Sequence, residues 1–154
     1  MRMSLRSLVE FRKAEAGSIL VETVVALPIL TILTIGVLEF GNVLWQRHQV
    51  QTGVRDAARY WSRCPSFKTD AECKQIADNV AFYGTPEPSA NTPPRVPGWT
   101  DSADLTITPV TRVEDQVFTV VGETQYLNSP LFGALGLEAP IEIKYFHQAR
   151  YFGW

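Results

Sequence analysis

The sequence has few of the residue types that catalytic and metal sites require. It contains two histidines and two cysteines. We expect His48 and His147 to be surface or packed residues, because neither belongs to a recognisable catalytic arrangement. A Gly-rich phosphate loop, a G-x-S-x-G nucleophile elbow and an H-E-x-x-H zinc motif are also missing. These absences predict a protein that is not an enzyme and that holds no cofactor and no metal ion.

An excess of basic residues is missing as well. Fourteen lysines and arginines stand against sixteen aspartates and glutamates, which gives a formal net charge of −2. The composition therefore does not support binding to nucleic acid. The charge is unevenly placed, because residues 1–17 carry four basic and only two acidic residues. Basic residues before a membrane span favour a cytoplasmic N-terminus, and the rest of the chain then lies on the outer side.

The sequence does contain one long apolar stretch. It runs from Ile19 to Trp45, which is longer than the roughly 20 residues that cross the hydrocarbon core of a bilayer. From Val43 onward the apolar residues recur at spacings of three, four and seven, which is typical of an amphipathic helix. We therefore predict one long helix over residues 18–62, with a transmembrane span at about 19–45. Pro28 should kink this helix.

The remainder of the chain predicts a small α+β domain. A short helix is expected over Asp70–Tyr83, and the proline-rich residues 85–100 are expected to form a surface loop. Alternating apolar residues predict three strands, with a turn at residues 113–115 and a short helix beginning at Ser129. The predicted strands are Leu105–Thr111, Gln116–Tyr126 and Ile141–Tyr151. The fold class is thus α+β: a long N-terminal helix packed on an antiparallel sheet of three or four strands.

The two cysteines follow the predicted long helix. Cys64 and Cys73 are nine residues apart, and the outer side of a bacterial inner membrane is oxidising, so a disulfide between them is expected. A metal site is the alternative, but two cysteines without a nearby histidine form an incomplete ligand set.

Several short motifs follow one another in order along residues 16–62. They are Gly17-Ser18 with Val21-Glu22, Ala26-Leu27-Pro28, Glu39-Phe40-Gly41, and Asp56-Ala57-Ala58-Arg59. Together they resemble the TadE-like minor pilins, which are pseudopilins of the tight-adherence (Tad/Flp, type IVc) pilus systems. Beyond residue 62 the resemblance is limited to the general, pilin-like layout.

The resemblance implies that a prepilin peptidase cuts after Gly17, on the cytoplasmic side. Ser18 would then carry the new amine, which is open to methylation. Glu22 would be the fifth mature residue, and in related pilins this acid meets an N-terminal amine during assembly. Two alternatives remain: an uncut signal anchor, and a Glu22 that lies among the lipid headgroups without a special partner.

The predicted organisation has three parts: a cytoplasmic leader (1–17), the long helix (18–62) and a periplasmic or extracellular domain (63–154). The resemblance implies a minor pilin in the assembly of a type IVc pilus used for surface adherence. The implied partners are the prepilin peptidase, other pseudopilins, the major Flp pilin, the inner-membrane pilus platform and membrane lipid. The location would be the bacterial inner membrane, with incorporation into an extracellular pilus. The alternative function is an uncleaved single-pass membrane protein with a periplasmic binding module.

Overall fold

The computed structural model of the chain describes residues 5–126 and 140–153, with side chains from residue 17 onward. These residues form two compact units, Met1–Phe40 and Gly41–Trp154. The helix predicted from Ser129 lies outside the described residues. The helices are α1 (Leu5–Trp61) and α2 (Asp70–Tyr83), with a short 3-10 helix at Ser102–Asp104. The strands are β1 (Leu105–Thr108), β2 (Val117–Tyr126) and β3 (Ile141–Arg150).

Helix α1 begins earlier in the chain than predicted. Its first residue is Leu5, whereas the sequence predicts a start at residue 18. The segment between them is rich in Leu, Arg, Glu, Lys and Ala and has no proline. These residue types favour a helix, so the helical backbone extends upstream of the apolar stretch. Pro28 lies inside the helix, and the kink expected there stays a prediction, as does the three-part division of the chain.

The sheet has three antiparallel strands in the order β1-β2-β3, which confirms the α+β class. Gly122 is opposite Leu105 on one side and Tyr145 on the other. Buried residues alternate with half-buried or exposed ones along β2, so one face of the sheet is covered and the other is partly open to solvent. Strand β1 ends at Thr108, earlier than predicted, because Pro109 has no N–H to donate to the sheet.

Residues 41–61 of α1, which we call the stem, cover the inner face of the sheet. Val50, Val54 and Ala57 are fully buried, at the spacings that the sequence predicts. Gly122 lets the stem approach closely, since a Cβ on this residue would be 2.5 Å from Val54 Cγ2. The stem therefore supplies one wall of the core of the unit Gly41–Trp154.

The proline-rich loop supplies a second wall, which the sequence analysis did not predict. Trp99 and Val96 are both 0% exposed, so the expected surface loop is wrong at these two positions. The Trp99 ring packs edge-on against Phe82, with 5.0 Å between ring centroids, and it also lies against Gly53 of the stem. Arg95 holds the loop in place, since its N–H donates to Phe82 O over 2.7 Å.

Helix α2 has defined caps at both ends. The Thr69 side chain accepts a hydrogen bond from the N–H of Glu72, and the Glu72 carboxylate accepts one from the N–H of Thr69 at 2.8 Å. The hydrogen bonds from the Thr69 backbone and side chain lower the pKa of Glu72. Gly84 ends the helix in a left-handed conformation, with φ of 75°. These caps explain why the predicted bounds of this helix are confirmed to the residue.

Candidate functional site

The residues expected to direct processing and assembly lie near the start of the apolar part of α1. Gly17, Ser18 and Glu22 all have exposed side-chain positions in the unit Met1–Phe40. Ser18 and Glu22 are four residues apart in a helix, so their side chains lie on the same face, one turn apart. The roles assigned to Gly17, Ser18 and Glu22 stay predictions.

The apolar side chains that follow have no cover within their own unit. From Ile19 to Phe40 the large hydrophobic residues are between 56% and 72% exposed, apart from Ile35, which is half-buried. The helix has a stretch with mean hydropathy of 2.2, none of it buried, and is long and apolar enough to cross a membrane. One such N-terminal helix fits a single-pass membrane protein. An apolar surface of this extent needs lipid or other helices around it.

The threonine hydroxyls within this stretch form hydrogen bonds with backbone carbonyls of the same helix. The hydroxyls of Thr23, Thr31 and Thr34 each donate to the carbonyl four residues earlier, over 2.8 Å. Such bonds allow threonine in a lipid environment, because no hydroxyl is left without an acceptor. Glu22 is the acid near the start of the stretch, and a carboxylate at such a position is the feature that calls for a cationic partner.

The second predicted site is the disulfide, and the structure joins Cys64 to Cys73 with their Cα atoms 6.1 Å apart. Both cysteines are fully buried. Arg112 holds the loop between them: its guanidinium donates to the carbonyl oxygens of Cys64, Pro65 and Lys68, and it pairs with Asp70. The loop is thereby fixed at several points of its backbone, which a disulfide alone would not achieve.

The fixed loop presents a phenylalanine to solvent. Phe67 is 83% exposed and lies in the turn that the hydrogen bond from Lys68 N to Pro65 O closes. A cleft of about 530 Å³ adjoins the loop and is lined by Ser66, Arg112 and Phe152, among others. The guanidinium of Arg112 is already occupied by the loop, so this cleft offers no free cation for an anionic ligand.

One cluster of polar groups has the residue types of a nucleophilic site. Ser102 Oγ donates to Asp78 Oδ2 over 2.6 Å, and Lys74 Nζ donates to Ser102 Oγ over 3.3 Å. Lys74 also forms an ion pair with Asp78, so both polar partners of the serine are engaged with each other. Burial raises the pKa of Asp78, with the hydrogen bonds from Lys74 and Ser102 acting against that shift. We interpret the cluster as a set of polar contacts that holds the 3-10 helix against α2.

The histidines lie apart from one another. His48 is exposed on the stem and His147 is half-buried in β3. Among the residues that the structure describes, no three side chains of His, Cys, Asp or Glu are grouped as metal ligands would be.

Two residues important to the architecture had no clear signal in the sequence. Arg112 follows a predicted strand as one charged residue among several, and its partners come from a loop more than forty positions earlier. Trp99 does carry a weak signal, because a tryptophan in a stretch of Pro, Gly and Thr is a large apolar residue that a simple solvent-exposed loop does not need.

Comparison with known proteins finds one family model that matches part of α1. No curated protein and no solved structure matches the chain. The family model described as TadE-like protein matches residues 17–59, which include the apolar stretch, Glu22 and most of the stem. This match confirms the resemblance found in the sequence motifs, and it covers a minority of the chain. Over residues 17–59 the chain is similar to TadE-like proteins, and this similarity suggests a Tad pilus-associated protein.

Proposed function

We propose that the protein is a minor pilin, or pseudopilin, that a prepilin peptidase processes and that takes part in assembly of a type IVc (Tad/Flp) pilus. The observation that carries this proposal is the exposed apolar surface from Ile19 to Phe40, with one acid, Glu22, near its start. A helix with this surface is stable in lipid or among other apolar helices. A pilin needs both surroundings in turn, first the membrane and then the fibre.

Cleavage after Gly17 would prepare the helix for the transfer from the membrane to the fibre. Hydrolysis of the Gly17–Ser18 peptide bond leaves a carboxylate on Gly17 and an ammonium on Ser18. Gly17 lies inside α1, where a glycine weakens a helix by about 1 kcal/mol relative to alanine. The glycine therefore weakens the helix next to the bond that the peptidase would cut. A Cβ at Gly17 would meet nothing within 4 Å, so its small size is not needed for packing within the chain.

The new ammonium supplies a partner for Glu22. An ionised acid within the membrane is costly, by about 2.5–3.5 kcal/mol on insertion scales. The amine of Ser18 lies one helical turn from Glu22 in the same chain, and an assembled fibre would bring the amine of a neighbouring chain to it. Pairing between chains would compensate the charge only when a second helix has docked. Glu22 would then favour assembly over free diffusion in the membrane.

The proposal includes an orientation of the chain in the membrane and a set of partners in pilus assembly. The basic residues of positions 1–17 favour a cytoplasmic leader, so the unit that begins at Gly41 would be periplasmic and later part of the fibre. The helix partners would be other pseudopilins and the major Flp pilin, and the inner-membrane platform would extract the protein from lipid. The domain boundaries 1–17, 18–62 and 63–154 belong to this proposal.

The intact mass of the membrane-extracted protein, with and without its prepilin peptidase, tests the proposal. We expect the peptidase to remove residues 1–17 and leave Ser18 first. Gly17→Val should block the cut, whereas the matched change Gly36→Val should leave the mass of the product as in the wild type apart from the substitution. Glu22→Gln should be cut normally and fail to appear in sheared pili. A full-length chain in both strains would instead support an uncleaved single-pass protein with a periplasmic binding module.

A further inference from the structure

A groove of about 480 Å³ lies between the end of α1 and the C-terminal end of α2. We call it the α1–α2 groove, and it is lined, among others, by Asp56, Arg59, Tyr60, Arg63, Val80 and Pro86. All of these residues belong to the unit Gly41–Trp154. Asp56 and Arg59 come from the motif Asp56-Ala57-Ala58-Arg59, to which neither cleavage nor membrane insertion gives a role.

Two arginines of this groove have no anionic partner. Arg59 and Arg63 are both exposed, and within the described part of the chain neither has a carboxylate at ion-pair distance. Arg63 lies in the turn that ends α1, where its N–H donates to Tyr60 O over 3.1 Å. Because both arginines line one groove, their like charges repel each other. An anionic group bound beside them would remove this repulsion.

The acid best placed to neutralise Arg59 is already paired. Asp56 precedes Arg59 by three residues, a spacing at which side chains of a helix can pair. Its Oδ2 instead accepts a hydrogen bond from Arg95 Nη2 over 2.7 Å. The backbone of Arg95 is held in turn, since its N–H donates to Phe82 O. The proline-rich loop therefore occupies the carboxylate of Asp56, and the charges of Arg59 and Arg63 remain uncompensated.

The part of the groove beside these charges is apolar and held in shape. Tyr60 and Val80 are half-buried there, and Pro86 is exposed at the edge. Asn79 Nδ2 donates to Pro86 O over 2.9 Å, which holds the loop after α2 against that helix. A groove formed in advance binds a partner at a lower cost in conformational entropy. Its chemistry suits a segment that carries both an apolar side chain and carboxylates.

We propose that the α1–α2 groove is the docking site for an acidic segment of a different pilin subunit. The carboxylates of that segment pair with Arg59 and Arg63, and a neighbouring apolar side chain lies against Tyr60 and Val80. This inference rests on the proposed function, because a minor pilin contacts pilins other than copies of itself. Since single surface ion pairs contribute little, the arginines set the orientation of the partner while apolar contacts supply most of the affinity.

Acidic lipid headgroups are a poorer partner for the groove. Arg59 follows Trp45, the end of the predicted span, by 14 residues, or roughly 21 Å along a helix. The headgroup layer on each side of the hydrocarbon core is only about 5–8 Å thick. A helix that continues out of the membrane therefore carries Arg59 beyond the headgroups, where the carboxylates of a protein are the available anions.

Photo-crosslinking in cells that contain the prepilin peptidase and the other pilus subunits tests the groove on the full chain. The crosslinker p-benzoylphenylalanine would replace Pro86, and mass spectrometry would identify the crosslinked peptide. We expect a peptide of another subunit with an apolar N-terminal helix, with Asp or Glu close to the crosslinked position. Arg59→Glu combined with Arg63→Glu should lower the yield about tenfold, because attraction becomes repulsion. Changing the acids of that peptide to arginine should then restore most of the yield.

Two further variants serve as controls. Arg59→Lys combined with Arg63→Lys keeps both charges and should retain most of the yield. Arg150→Glu should leave the yield unchanged, because Arg150 is also an exposed arginine and lies outside the groove. The melting temperature of each variant in detergent should equal that of the wild type, since all the substituted side chains are exposed.

Several results would overturn the assignment of the groove. They are a crosslink to lipid, to a second copy of this chain or to a protein that is not pilin-like, the absence of any crosslink, and a yield that persists in the glutamate variant. Intact mass measured on the same samples separates the two proposals. Normal cleavage with any of these results leaves the pilin proposal standing, whereas an uncut chain overturns the pilin proposal and the groove assignment with it.

Discussion

The two parts of helix α1 have the same backbone structure and opposite surroundings. In residues 19–40 of the unit Met1–Phe40 nearly all of the large apolar side chains are exposed. In the stem, Val50 and Val54 are fully buried while Arg47 and Arg59 are exposed. Hydrophobicity alone therefore does not determine which part packs within the chain. The arrangement of the apolar residues does, because a one-sided stripe suits a folded domain and an all-round apolar surface suits lipid or other helices.

This contrast has a practical meaning for mutagenesis. A substitution in the stem should change the free energy of unfolding of the unit Gly41–Trp154. A substitution in the apolar stretch before it should leave that free energy unchanged and act, if at all, on insertion or assembly. Two of the following changes compare the two parts of the helix directly, and the other two test contacts elsewhere in the unit Gly41–Trp154. The protein is detergent-solubilised in every case.

Removing the tryptophan that the stem helps to bury should have the largest effect. Trp99→Ala should lower the free energy of unfolding by about 3–5 kcal/mol, since the fully buried ring lies between the stem and Phe82. Leu27→Ala, in the exposed apolar stretch, is the comparison. Urea unfolding followed by circular dichroism measures both, and equal losses would show that the two parts of the helix do not differ as described.

Loss of the disulfide should come next. Replacing Cys64 and Cys73 together by serine should cost about 2–3 kcal/mol, because the bond closes a loop of about ten residues in the unfolded chain. Denaturant midpoints of the double variant and of the wild type, with and without reductant, measure the change. Reductant should lower the midpoint of the wild type and leave that of the double variant unaltered. The expectation would be wrong if the two proteins had the same midpoint without reductant.

A smaller effect should follow from adding one methyl group to each part of the helix. A Cβ at Gly53 would be 2.5 Å from Ala81 O, whereas one at Gly36 would meet nothing within 4 Å. Gly53→Ala should destabilise the unit Gly41–Trp154 by about 1–3 kcal/mol through overpacking. Gly36→Ala should leave its melting temperature as it is. Differential scanning calorimetry compares the two variants, and a stable Gly53→Ala protein would mean that the stem can shift away from α2.

The smallest expected effect concerns pH and α2. Because hydrogen bonds from Thr69 lower the pKa of Glu72 in the folded state, the ionised carboxylate contributes stability above the ordinary pKa of 4.5, and this is lost as the pH falls through the folded value. Glu72→Gln should therefore show a shallower fall in melting temperature between about pH 6 and pH 3. Glu87→Gln, in the exposed part of the proline-rich loop, should follow the wild-type curve. Parallel curves for all three proteins would refute the assignment.

The parts of the fold that could be predicted from the sequence are those with local causes. The spacing of Val50, Val54 and Ala57 gives the buried face of the stem, and the capping box at Thr69 and Glu72 gives the bounds of α2. Pro109 shortens β1 in a way that the predicted strand did not include. Such signals act within a few residues of their effect, so sequence alone can reveal them.

The remaining features depend on contacts between distant residues. Trp99 is buried because Gly53 and Phe82 leave room for its ring, and neither is near it in the sequence. Arg112 is oriented by carbonyl groups of residues 64–68. For the candidate site, Gly17 and Glu22 could be found only through motifs and family resemblance, because the roles proposed for them involve a peptidase and neighbouring chains.

The disulfide has a mechanical consequence for a protein held by its N-terminal helix. A pulling force along α1 reaches Cys64 soon after the helix ends at Trp61. There the covalent bond passes part of the force directly to Cys73 in α2, and Arg112 passes part of it to the segment between β1 and β2. The force therefore does not act along the residues between the two cysteines, and this segment cannot be extended. Tension is thus shared by the helices and the sheet together, and the unit Gly41–Trp154 resists being unravelled from its N-terminal end.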